Sequence, residues 1–124
     1  VYFAVGIILS IIKHYMENYK KQIQSVRIAL EELDNASEYN ADKYITLQDS
    51  LISIIQQALA DSKLKQANKE NVFSEASSLL GCYIGCVEDV ERYFPQFEAL
   101  YSKGLITAEQ LDFFDNNMNI GRWR

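Results

Sequence analysis

The first twelve residues, VYFAVGIILSII, carry no charge, and the segment after them keeps its apolar residues to one stripe: Tyr15, Tyr19, Ile23, Val26, Leu30 and Leu33. Spacings of three and four put that stripe on one face of a helix, whereas the opening segment is apolar all round. One helix from about residue 2 to residue 33 holds both patterns and extends about 45 Å at 1.5 Å per residue. Its first three turns need an apolar environment, which a protein core, a partner chain or a lipid bilayer would supply. Twelve apolar residues fall short of the roughly 20 that cross a bilayer. The chain begins with Val1 rather than Met, and residues upstream would be needed to complete a span. Residues 1–12 are therefore expected to be either buried in a core or an oligomer, or the remnant of a membrane anchor. Lys13, Lys20, Lys21 and Arg27, against Glu17 alone, follow the apolar run as cytoplasmic flanks follow an anchor. The expected location is the cytoplasm or the cytoplasmic face of a membrane.

Those four bases and one acid give residues 1–30 a charge of +3, which leaves −8 for the remainder of a chain whose total is −5. Phosphate binding depends on clustered Lys and Arg, so an acidic body argues against nucleic acid as a partner. A hydrophobic content of 48% excludes a disordered chain, and one proline with five glycines is too few breakers for an all-β domain. A length of 124 residues suits one domain, 1–124, with one modest core.

The spacing predicts a second helix over 41–65, with the stripe Tyr44, Leu47, Leu51, Ile54, Ile55, Ala58 and Leu59. Asp42 lies in its first turn and Lys63 and Lys65 in its last, where the helix dipole favours each. Between the first two helices, Asn35, Ser37 and Asn40 offer oxygens for a turn or an N-cap. Residues 66–71, QANKEN, read as a second turn, and a third helix is predicted over 72–93, ending at Pro95. Gly81 and Gly85 interrupt it and, with Ser77, make a small-residue ridge at spacing four, suited to close helix packing. A short helix over 96–102 should follow, stopped by a left-handed Gly104 with Leu105 folding back. Thr107 and Gln110 form a capping box for a last helix over 108–116, beyond which Ile120 and Trp123 would dock on the body. The expected fold class is all-α: an up-down-up three-helix bundle with a long N-terminal helix and a short C-terminal helical hairpin.

Few residues offer chemistry. His14, the one histidine, has Glu17 and Asn18 within a turn but no group that marks it as a base. Cys82 and Cys86 set no disulfide framework. On a continuous helix their Cβ atoms would stand about 5–6 Å apart, against the roughly 3.8 Å a disulfide wants. They read as two buried thiols in a reducing cytoplasm. With His14 they would supply only three ligands to a zinc ion that wants about four, and the chain has no Glu-x-x-His for a di-iron site. No metal or cofactor is expected. Glu88 and Glu91 share one helix face and read as solvated. No phosphate loop or nucleophile–histidine arrangement stands out, and the expectation is a protein that is not an enzyme.

What remains is surface. Seven aromatics fall between Tyr83 and Phe114, and rings of this kind build both cores and interfaces. The leading expectation is a helical interaction module, tethered to a membrane or not, that binds a protein partner or itself. Its contact residues would be Phe3, Ile7, Ile8, Ile11, Ile12, Tyr15 and Tyr19 on the first helix, Gly81 and Gly85 on the third, and Phe94, Phe97 and Tyr101 near the C-terminal hairpin. One alternative is a ligand-binding or regulatory bundle with a pocket beside Gly81 and Gly85, lined by Cys82, Tyr83 and Cys86. Another is an acidic inhibitor or immunity-type protein that neutralises a basic partner.

Overall fold

The computed structural model of the chain describes residues 2–118, with side chains from residue 17 onward. Among these residues there are five α-helices and no strand: α1 (Tyr2–Asp34), α2 (Ala41–Ala60), α3 (Gln66–Cys82), α4 (Val87–Ser102) and α5 (Ala108–Asn117). The expected three-helix bundle is thus corrected to five helices, and local chemistry accounts for the difference at two places.

The first is the end of α2. Asp61 accepts the Lys63 amide on its own carboxylate at 2.9 Å, a side-chain bond that competes with helical continuation. The helix stops at Ala60, with the Asp61 amide bonded back to Ala58. Residues 61–65 therefore make the turn, and QANKEN, expected to turn, opens α3 through the Lys69 amide to the Lys65 carbonyl at 2.9 Å. The second place is residues 83–86. Tyr83 and Ile84 donate to Leu80 and Gly81, the tight i to i−3 bonds that finish a helix. Cys86 then adopts extended backbone as the N-cap of α4, which places Glu88 and Asp89 in a new first turn, where the dipole favours acids.

Pro95 does not end a helix; it lies inside α4. It removes the N–H that would serve the Glu91 carbonyl, but both residues are exposed, so water can replace that donor. Burial of Tyr93, Phe97 and Leu100 on the other face holds the helix together across the interruption.

The chain divides into two compact units, residues 1–73 and 74–124, with α3 beginning in the first and ending in the second. In the first unit α1 and α2 form an antiparallel pair, tied near both ends by tyrosine hydroxyls. Tyr19 on α1 donates to Asp61 beyond the end of α2, and Tyr44 at the start of α2 donates to Asp34 at the end of α1, each at 2.8 Å. Between these ties Ile23, Val26 and Leu30 of α1 and Leu51, Ile54, Ile55 and Ala58 of α2 are buried. Asn40 caps α2 by accepting the Lys43 amide.

In the second unit α4 and α5 pack on each other through Phe97 and Phe114, both fully buried, with ring centroids 3.7 Å apart and planes 9° from parallel. Gly104 ends α4 at φ 74°. Its amide bonds to Tyr101 and that of Leu105 to Leu100, the paired bonds of a Schellman stop. Thr107 and Gln110 then cap α5 reciprocally.

Among the described residues no helix is long and apolar enough to cross a membrane. The membrane-anchor and bilayer expectations are corrected accordingly: after the twelve uncharged residues α1 carries Lys13, Glu17, Lys20 and Lys21 within three turns. The expected docking of Ile120 and Trp123 lies outside the described residues.

Candidate interaction surface

The twelve residues expected to form a contact surface have separate fates. The side chains of Phe3, Ile7, Ile8, Ile11, Ile12 and Tyr15, and of His14, lie outside the described residues. Tyr19 is interior, with its ring buried and its hydroxyl tied to Asp61. Phe97 is stacked inside the second unit. Gly81 is filled: a Cβ placed there would stand 2.8 Å from the Asn117 carbonyl oxygen on α5, so the glycine allows two backbones to meet. Gly85 is the opposite case, exposed, with nothing within 4 Å of a Cβ. The ridge expected to act as one feature is therefore split by the helix break between its two glycines. Phe94 and Tyr101 remain at the surface, half-buried and exposed respectively.

These two residues belong to a stripe on α4. Val87, Phe94 and Tyr101 recur every seven residues and so line one face of the helix. Val87 is 57% exposed and Tyr101 47% exposed, and Val90 lies half-buried beside them. Val87 was missed because a helix continuing through residue 86 assigns it and Val90 to a core face. The seven-residue spacing across Pro95 was the available signal, obscured by reading that proline as a helix end.

The stripe has an acidic border. Glu91 stands four residues after Val87 and three before Phe94; Glu98 repeats that relation to Phe94 and Tyr101. Both glutamates are exposed. The one base of α4, Arg92, is turned to Asp89 at 3.2 Å and lies over the Tyr93 ring. Across residues 74–118, eight acids face only Arg92 and Lys103, a net charge of −6. At the start of α4 the Glu88 carboxyl sits below its usual range because its own backbone N–H, and after it the Cys86 side chain, stabilise the ionised form. The Asp89 amide favours the Cys86 thiolate, but desolvation and the Asp89 and Glu88 carboxylates outweigh it and raise the thiol above its ordinary value. This end of α4 is set to hold negative charge on acids, with Cys86 as a neutral thiol near pH 7.

Cys82 and Cys86 are both exposed, not buried, and the break at 83–86 leaves Cys82 as the last residue of α3 and Cys86 as the N-cap of α4. Among the described residues no group of three or more His, Cys, Asp and Glu could hold a metal ion. Two open grooves of about 600 and 650 Å³ run along the α1–α2 pair. The first is lined mainly by short polar side chains, including Ser25, Thr46, Ser50 and Ser53, and the second includes Ala29, Leu33, Ala36 and Leu47. Neither includes a residue of the Gly81–Gly85 segment. Tyr44, near the second groove, has its phenol raised by donating to the Asp34 carboxylate, with desolvation adding to the shift.

Comparison with protein-family models, with curated proteins and with solved structures finds no match for this chain.

Proposed function

We propose that this protein is a helical interaction module without catalytic function, whose α4 outer face receives a basic amphipathic helix of a partner protein. The observation that carries the reading is the seven-residue stripe Val87–Phe94–Tyr101 bordered by Glu91 and Glu98. Seven-residue apolar spacing is what a second helix packs against. A border of one charge sign selects a partner of the other sign and speeds the encounter. A second copy docking through the same face would bring Glu91 and Glu98 toward their own counterparts, so a foreign, Lys- and Arg-rich helix fits better than self-pairing. On this reading the acidic, partner-neutralising alternative and the interaction module share one surface.

The test is a titration of the isotope-labelled full chain with a helical peptide that carries leucines at seven-residue spacing and lysines beside them. The expected result is amide shifts concentrated on 87–101, and a Phe94→Glu variant that binds at least tenfold more weakly with its helical content intact. Shifts centred on the α1–α2 grooves, or binding unchanged by Phe94→Glu, would remove the reading.

A further inference from the structure

We propose that Cys82 and Cys86 form a reversible intrachain disulfide, a thiol-modification site at the α3–α4 break that does not depend on the docking reading. A continuous helix would forbid the bond, since Cβ atoms four residues apart are held about 5–6 Å from each other and a disulfide needs about 3.8 Å. The structure removes that constraint, because the helix ends at Cys82 and the next begins at Val87. Both thiols are exposed, so an oxidant can reach either one.

The segment between them is packed at one end and held at the other by an exposed hydrogen bond. Gly81, next to Cys82, is seated against the Asn117 backbone. Ile84 is fully buried. Gly85 is exposed, with open space where a Cβ would stand and its amide donating to the Asp89 carboxylate at 3.4 Å, and Cys86 follows it in extended conformation as the N-cap of α4. Bridging requires the exposed Gly85–Asp89 bond to break and Cys86 to leave its extended conformation at the start of α4, while the buried Ile84 and the end of α3 stay in place. Glycine at position 85 gives that rearrangement the widest choice of backbone angles.

The chemistry is thiol–disulfide exchange with a small-molecule disulfide such as oxidised glutathione. One cysteine, as thiolate, attacks the oxidant's S–S bond and forms a mixed disulfide, releasing one glutathione thiolate. The second cysteine, as thiolate, attacks the protein sulfur of that mixed disulfide. The Cys82 Sγ–Cys86 Sγ bond forms and a second glutathione thiolate leaves. Two electrons pass from the cysteines to the oxidant, and the two cysteine protons end on the released glutathiones.

The experiment incubates the reduced full chain with oxidised glutathione and reads intact mass, thiol titre and helical circular dichroism. The expected product is a monomer lighter by two hydrogen atoms, with no titratable thiol and unchanged helical content. Cys82→Ser and Cys86→Ser should each give instead a single glutathione adduct or a linked dimer. Glutathione adducts on both cysteines of the intact chain, linked dimers as its main product, thiols that stay titratable, or a bridge that forms only with loss of helix would each overturn the proposal.

Discussion

The α1–α2 pair and the α4–α5 pair use their aromatic residues in opposite ways. In the first, Tyr19 and Tyr44 turn their hydroxyls to Asp61 and Asp34 and tie the helices near both ends. In the second, Phe97 and Phe114 stack face to face inside and Tyr93 is also fully buried, while Tyr101 and Phe113 stay exposed. A tyrosine that closes a helix pair has its polar end satisfied within the chain. A short pair whose interior already holds Tyr93, Phe97 and Phe114 leaves Tyr101 and Phe113 outside and Phe94 half-buried. Among the described residues, the exposed apolar ones of the first unit do not repeat in this way: Ile28 stands at 47% exposure without a seven-residue partner, and Tyr39 lies on Tyr44 with centroids 5.5 Å apart.

Substitution tests this contrast most severely at the stacked pair. Phe97→Ala should destabilise the protein by about 3–5 kcal/mol in urea unfolding, the range for deleting a buried aromatic. A loss under 1 kcal/mol would mean the ring is not the interior anchor described. Gly81→Ala should lower stability by about 1–3 kcal/mol, because its methyl group meets Asn117 backbone rather than a flexible side chain. Gly85→Ala serves as its partner measurement and should stay within about 0.5 kcal/mol, as at other open surface positions. Equal losses at the two glycines would restore the unbroken ridge.

Tyr19→Phe should cost about 1 kcal/mol, the net worth of one hydrogen bond, with some penalty for the part-buried Asp61 left behind. The Tyr44 tie predicts a pH effect. Its phenol is raised in the folded state from an ordinary value of 10.0, so the folded chain holds that proton more tightly than the unfolded one. The contribution to stability is complete below pH 10 and is lost as pH rises through the raised folded value. Tyr44→Phe should flatten that part of the stability–pH profile. Tyr44 is half-buried and its bond to Asp34 lies at the surface, so the change should be small.

Several of these features were legible before the structure. The spacing of Tyr19, Ile23, Val26 and Leu30 marks the buried stripe of α1, and Thr107 with Gln110 and the left-handed Gly104 mark the hairpin stop and restart, because caps and positive-φ turns are local chemistry. What escaped was where helices stop for reasons that periodicity does not carry. Asp61 stops α2 with a bond to Lys63, although Lys63 and Lys65 suit a last turn by charge. The helix break at 83–86 was visible only as Gly85 followed by Glu88 and Asp89, a weak pattern inside an apolar run that continues on both sides. Missing it merged α3 with α4, led both cysteines to be read as buried and hid Val87, so one of the three residues of the α4 stripe went unread. Tyr19 and Phe97 were expected at a contact surface and lie inside because aromatic composition does not distinguish a core ring from an interface ring.

The central claim is that negative charge beside the α4 stripe chooses the partner, and reversing that charge tests it directly. A chain carrying both Glu91→Lys and Glu98→Lys should bind the lysine-bordered peptide about tenfold more weakly and a glutamate-bordered peptide of the same apolar spacing more tightly, since exposed pairs are worth roughly 0.2–1 kcal/mol each and reversal replaces attraction by repulsion. Both differences should shrink in high salt. Unchanged affinity for the basic peptide, at low and high salt alike, would contradict the account.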